Sequence, residues 1–325
     1  MTFLFFQMGN TRGAVASGNR TAVTHFFFEP FSNVLEVQVA LFFVVLLMYL
    51  TTLGGNVLII TISVIDPALH SPMYFFLRNL SFLEITYTSS TIPEFLVNSF
   101  AKDKGISFVG CAMQMYFFGL LGITECCLLT AMAYDRYVAV CHPLRYATMI
   151  SHTVCLQLAG VCWFLGVLVS VWQTTFIFTL PFCGPNMINH FFCDLLPVLK
   201  LACVDTFRNE VYIYIAAVVF IMAPFLLILV SYAGILHTIF SMPSAEGRKK
   251  TFSTCFSHLL VVTLFYVPGI LTYLIPKSIH SHNSNKFLSL FYSVMSPMMN
   301  PLIYSLRNKE VKQALRRLIS RKRSF

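Results

Sequence analysis

The sequence predicts an all-α membrane protein, a seven-transmembrane helix bundle with a short amphipathic eighth helix at its end. Three observations predict it. The 325-residue chain is 57% hydrophobic and only 11% charged, where an ordinary globular protein is roughly a quarter charged. Its mean hydropathy of +0.74 leaves too little polar surface to keep it dissolved. The apolar residues also gather into seven stretches, each near the roughly 20 residues that a helix needs to cross the hydrocarbon core. Barrel strands would be about ten residues long with alternating polarity, so the stretches read as helices.

Three regions follow in chain order: an extracellular amino-terminal tail over 1–36, the seven-helix bundle over 37–306, and a cytoplasmic amphipathic helix with a basic tail over 307–325. The opening MTFLFFQMGN has no basic leader and too short an apolar piece for a cleavable signal, so the first span serves as its own targeting signal. Asn19-Arg20-Thr21 is a glycosylation sequon, usable only on the lumenal side. The spans fall at about 37–63, 73–98, 108–140, 154–178, 210–240, 251–275 and 286–306, and the short connections leave no room for a soluble domain.

Charge orients the bundle. With the amino terminus outside, fourteen Lys and Arg face the cytoplasm and eight face outward, the bias that membrane insertion favours. Eight of the fourteen follow Tyr304, a placement that suits an anionic membrane surface or a cytoplasmic partner rather than nucleic acid. Leu306, Val311, Leu315 and Leu318 share one face of that last segment with basic residues around them, as in a helix lying on a membrane.

Inside the spans stand Asn56 in the first, Glu84 in the second, Glu125 in the third and Asn300 in the seventh. An acid at the bilayer centre costs about 2.5–3.5 kcal/mol on insertion scales. Two are tolerable if they share a proton or a cation, face a wet cavity, or join a hydrogen-bond network that glues helices. Paired carboxylates also invite a hydrolase, but no nucleophile motif or metal-ligand set accompanies them, so no catalytic site and no metal site are expected. Pro224, Pro268 and Pro301 interrupt spans five, six and seven and give them places to bend. Of ten cysteines, Cys111, Cys183, Cys193 and Cys203 fall on the outer side, where oxidation favours bridges. Four cysteines allow three pairings.

The chain is organised around Met132 to Tyr146, MAYDRYVAVCHPLRY, at the inner foot of span three. There Asp135 stands beside Arg136, and an ionised Asp135 can hold the arginine until protonation frees it for another partner. This segment closely resembles the corresponding one in olfactory (odorant) receptors, a branch of the rhodopsin-like G-protein-coupled receptors. The resemblance covers about Glu29 to Ile319. It includes GNVLI in span one, LHSPMYFFL and LSFLE around span two, and FCGPNMINHFFCDLLPVLKLACVDT between spans four and five. GRKKTFSTCFSHLLVVTLFY into span six and PMMNPLIY in span seven complete it.

The resemblance implies Cys111–Cys193 and Cys183–Cys203 bridges. A metal role for His190 and Cys193 then falls away, because a bridged cysteine is no thiolate. It implies an internal sodium or proton site at Glu84, Glu125 and Asn300 with Asn56 nearby, and no other cofactor. It implies a switch of Asp135, Arg136 and Tyr137 in which Tyr232 and Tyr304 swing inward to meet Arg136. Belt tyrosines at the interface are the structural alternative.

It further implies an outer ligand cavity. Met115, Phe118, Gly119, Gly122 and Ile123 of span three would face Ala216 and Phe220 of span five. Tyr266, Ile270 and Tyr273 of span six and Ser293 of span seven would complete the lining. Such a wall, apolar with a few hydroxyls, suits a small and mostly hydrophobic molecule. The expected partners are that odorant, membrane lipid and a heterotrimeric G protein of the stimulatory, cyclic-AMP-raising type, at the plasma membrane. The rivals are a rhodopsin-like receptor for a non-volatile metabolite, and a channel or transporter. Against the second, the chain shows neither an internal repeat nor a pore-lining ring of charge.

Overall fold

The computed structural model describes residues 23–32, 34–101, 104–275, 282–307 and 309–322. The sequon at Asn19 lies outside them. Twelve helical segments account for most of the described chain. α1 covers Leu35–Ile65, α2 Pro72–Phe100, α3 Phe108–Cys141, α4 Tyr146–Met149, α5 His152–Phe178 and α6 Leu195–Leu199. α7 covers Phe207–Ala217, α8 Ala223–Ser241, α9 Ala245–Tyr273, α10 His282–Leu290, α11 Ser296–Arg307 and α12 Lys309–Lys322.

Local chemistry sets the ends. Ser107, Ser151 and Ser244 cap α3, α5 and α9, their hydroxyls accepting from the amides of Gly110, Val154 and Gly247. The cap at Ser244 starts α9 six residues before the sixth apolar stretch, because a helix need not end where hydrocarbon does. Proline explains two irregularities. Pro224 has no N–H to give Phe220, and the turn before it, Val218–Met222, is a π-helix joining α7 to α8. Pro297 likewise follows the π turn Phe291–Met295 that joins α10 to α11. Pro93, Pro268 and Pro301 lie inside α2, α9 and α11.

Among the described residues, five runs are long and apolar enough to cross a membrane: Leu35–Ile65, Phe108–Cys141, His152–Phe178, Phe207–Ser241 and Ala245–Tyr273. α2 carries Arg78, Glu84 and Glu94 and is less apolar. α3 is the axis of the bundle, touching α2, α5, α8 and α9, while α11 closes the ring between α1 and α9. The closest packing is between α3 and α5. A Cβ on Gly166 would strike the Thr124 side chain and the Leu120 carbonyl, so only glycine lets the helices approach this far. Outward faces are apolar: Phe43 and Leu47 of α1, Phe164 and Trp172 of α5, and Leu226 and Val230 of α8 are all exposed. A soluble surface would not present so much contiguous hydrocarbon.

The fold is not purely α. β1 (His25–Phe28) pairs antiparallel with β2 (Gly105–Ser107) and parallel with β3 (Met187–Ile188), with Phe26 opposite Ile106 and Phe28 opposite Ile188. These strands are too short to show a period in the sequence, and their partners are far apart in the chain. They also tie the end of the amino-terminal tail to the bundle. Phe26 is fully buried under them.

Candidate functional site

At the sheet end of the bundle, two disulfides shape the loop between α5 and α7. Cys111 at the top of α3 is bonded to Cys193, their Cα atoms 5.4 Å apart, and Cys183 is bonded to Cys203 with Cα atoms 5.8 Å apart. Gln114 on α3 reinforces the first: its carbonyl accepts from the Cys193 amide at 2.8 Å and its amide donates to the Ser90 carbonyl at 3.2 Å. Phe192, next to the bridge, is fully buried and packs at a tilt against Phe118 of α3 with ring centroids 4.6 Å apart. His190 packs on Phe191, and its Nδ1 accepts from the Phe192 amide at 3.4 Å. These contacts anchor the loop.

Beneath this lid is a cavity of about 100 Å³. One wall is Phe118, Gly119, Gly122 and Ile123 of α3; the facing wall includes Ala216, Phe220, Tyr266 and Tyr273. Gly122 leaves open space, since nothing lies within 4 Å of where its Cβ would be. Tyr266 forms the floor: it is fully buried, donates to the Cys126 carbonyl at 2.9 Å, and packs on Phe225 at 5.3 Å. At the roof, the Tyr273 hydroxyl donates to Asp194 at 2.8 Å and lies 3.5 Å from the Tyr292 hydroxyl. The cavity is therefore apolar in its body, with hydroxyls at its two ends.

Deeper in the bundle is a polar cluster. Glu84 accepts a short hydrogen bond from the Asn300 amide, with Asn56 and Glu125 beside the same carboxyl. All four are at least 99% buried. Glu84 Oε2, Glu125 Oε1 and Asn300 Oδ1 have no hydrogen-bond partner among the described residues. Buried acceptors left in this state are costly, and three oxygens of this kind fit a bound cation or a shared proton.

At the inner end, Asp135 and Arg136 are both buried yet not paired with each other within 4.0 Å among the described residues. Asp135 instead accepts from Tyr146 of α4 at 2.7 Å, and Arg136 Nη2 donates to the Met73 sulfur at 2.8 Å. The direct Asp135–Arg136 contact of the expected latch is not made in this structure. Adjacent residues on a helix point about 100° apart, so the two side chains reach different neighbours. Tyr137 packs against Gly234 of α8. Tyr232 hydrogen-bonds His258 Nδ1 at 2.8 Å, and the buried Tyr304 hydroxyl has no partner among the described residues.

A family model described as "Olfactory receptor" matches residues 45–322. The human protein olfactory receptor 10A4 is 56% identical over 304 residues, covering 93% of this chain and 96% of its own. Human olfactory receptor 10C1 is 53% identical over 305 residues, covering 94% and 98%. The chain belongs to the olfactory receptor family. A crystal structure of squid rhodopsin, 16% identical, superposes with a TM-score of 0.70 over 88% of this chain and 86% of that one, which shows the rhodopsin-like fold. Membership of this family makes the receptor a non-enzymatic, multi-pass protein of the plasma membrane, with a small-molecule ligand and a G protein as its class of partners.

The receptor's cavity gathers Phe118, Gly119, Gly122, Ile123, Ala216, Phe220, Tyr266 and Tyr273. It leaves out three expected residues. Met115 is buried higher up, with Phe26, Cys111 and Cys193. Ile270 packs against the main core, and Ser293 is fully buried in the π turn without lining the cavity. Its neighbour Tyr292, in the same turn, lines the cavity. Tyr87, Gln173, Leu195 and Tyr292 line the cavity and went unread. So did Asp194, although its place beside Cys193 was a usable signal once that bridge was drawn. His258, the lone histidine in the apolar run of span six, carries its signal in that isolation.

Proposed function

We propose that this receptor detects a small, mostly hydrophobic odorant and activates a stimulatory heterotrimeric G protein, raising cyclic AMP. The observation that carries it is the lidded apolar cavity floored by Tyr266, in a chain of this family. Seven membrane crossings follow if α2 and the α10–α11 run span alongside the five most apolar runs. The amino terminus is then outside with the disulfides, and the basic α12 is the eighth helix on the inner membrane surface. Val311 and Ala314 of α12 are buried while Lys312, Arg316 and Arg317 are exposed, which supports that placement.

Ligand in the cavity presses on Phe220 and Tyr266, which sit on two helical runs that carry breaks: the π turn of span five and α9 with Pro268. A shift there favours an arrangement already within reach of the bundle. Tyr232 leaves His258, Tyr304 turns its unpaired hydroxyl inward, and both meet Arg136 as it leaves Met73. The opened inner end, flanked by the basic start of α9 at Arg248 and Lys249, receives the G protein. Glu84, Glu125 and Asn300 hold a sodium ion or a proton in the resting arrangement, which neutralises the buried carboxylates. Cyclic AMP measured in cells displaying the receptor, challenged with a panel of small volatile molecules, tests the proposal. A dose-dependent rise supports it; silence across the panel at confirmed surface level counts against an odorant ligand.

A further inference from the structure

Among the described residues, the cavity is covered at the sheet end of the bundle by the loop between α5 and α7 and by β1. Phe26, Ile188, Phe192 and Cys193 are fully buried there, and the Cys111–Cys193 bridge pins the lid to α3. Sideways the situation differs. A second apolar groove of about 420 Å³ runs between α5 and α7 on the face where Leu168, Trp172 and Val219 are exposed. Four residues, Gln173, Ile213, Ala216 and Phe220, line both the groove and the cavity. The partition between the two is therefore one side chain thick.

That partition is weakly built. α5 and α7 touch each other little, and Phe176 meeting Tyr212 edge to face at 5.3 Å is the ring contact that joins them. Phe220 stands in the π turn Val218–Met222, where the helix lacks its regular ladder, and Ala216 offers only a methyl. Rotation of the Phe220 and Gln173 side chains would thin this partition, since both face the two spaces. Side-chain rotation of this kind is fast compared with opening a disulfide-tied lid.

We infer that the receptor takes its ligand from the bilayer, through the groove between α5 and α7, rather than through the lidded outer end. The occupant is a small, neutral, apolar molecule of the class the cavity accepts, and membrane concentrates such molecules because water excludes them. This rests on the cavity being the ligand site.

The test uses the full-length receptor in phosphatidylcholine nanodiscs with 3-trifluoromethyl-3-phenyldiazirine as the probe, flash-irradiated at increasing delays after mixing. Label is mapped by mass spectrometry. In the unmodified receptor it is expected first on Trp172 and Tyr212 and then on Phe220 and Tyr266. Val169→Trp and Val219→Trp narrow the groove from opposite walls without lining the cavity; each should slow label at Tyr266 about tenfold while leaving its final level unchanged. Trp172→Ala removes an exposed ring from the groove and should speed it, which keeps the test open if a narrowing variant fails to fold. Unchanged rates in all three overturn the inference, and label confined to the groove overturns it too, marking a seat for an acyl chain. The cavity assignment fails separately: it falls if Gly122→Val leaves agonist potency untouched, whatever the groove variants do.

Discussion

Replacing Gly122 with valine should weaken agonists without harming the fold. Nothing stands within 4 Å of the position of its Cβ, and the space it faces is the cavity of about 100 Å³. Valine adds three heavy atoms there, so the ligand must give up contact worth about as many of its own. At about 0.3–1.5 kcal/mol for each ligand atom, the loss is about 1–4.5 kcal/mol. Half-maximal concentration should rise between about fivefold and about a thousandfold, since about 1.4 kcal/mol is tenfold. Glycine is the poorer helix former of the two, so surface delivery should be normal. Cyclic AMP dose–response curves, normalised to surface staining, give the shift. Unchanged potency for every agonist at normal surface level would refute the cavity as the ligand site. Gly166→Val is the counterpart on the facing helix. There the added carbons meet the Thr124 side chain and the Leu120 carbonyl, and overpacking of this kind costs about 1–3 kcal/mol. A lowered thermal midpoint and poor surface delivery are expected, and wild-type values for both would show that the α3–α5 contact is looser than described.

Arg136→Ala should abolish cyclic AMP responses while leaving surface delivery largely intact, as read by paired signalling and surface assays; normal signalling would remove Arg136 from the switch. Sodium should raise the thermal midpoint of the wild type but not of Glu84→Gln, because the amide cannot offer a charged oxygen to a cation; an equal rise in both would place sodium elsewhere. Asp66, in the connection between α1 and α2, accepts from Arg317 of α12 at 2.9 Å, and that hydrogen bond holds its carboxyl below the usual carboxylate range. A lowered folded-state value means that the contact is fully present above the ordinary carboxylate range and is lost only as pH falls through the lowered one. Hydrogen exchange over Lys309–Lys322, corrected for intrinsic rate, should therefore be flat between about pH 5 and 8 and faster in Asp66→Asn. A marked acceleration in the wild type on going from pH 8 to 5 would contradict it.

Most of the bundle was legible because hydrocarbon thickness imposes a length that any apolar helix must meet. The seven stretches differ from the observed helical runs by a few residues at most ends. The larger difference, at the start of α9, arises from a serine cap that acts outside the membrane. The small sheet was not legible, since His25–Phe28 pairs with strands of three and two residues that lie far along the chain. In the site, the face of α3 from Phe118 to Ile123 was readable because a regular helix fixes which residues share a side. Ser293 of span seven was placed in the wall by the family resemblance alone; it is buried in the π turn Phe291–Met295, and its neighbour Tyr292 lines the cavity. Asp135 and Arg136 were found by the cost of placing charge at a membrane edge. Their partners, Tyr146 and Met73, come from packing between elements, which sequence order does not encode.

The most direct measurement is the structure of the agonist-bound receptor in complex with a stimulatory G protein. Ligand density should lie against Phe118, Gly122, Phe220 and Tyr266, with Arg136 released from Met73 and turned toward Tyr232 and Tyr304. Density outside that cavity, or an Arg136 still bonded to Met73 in the signalling complex, would contradict the account.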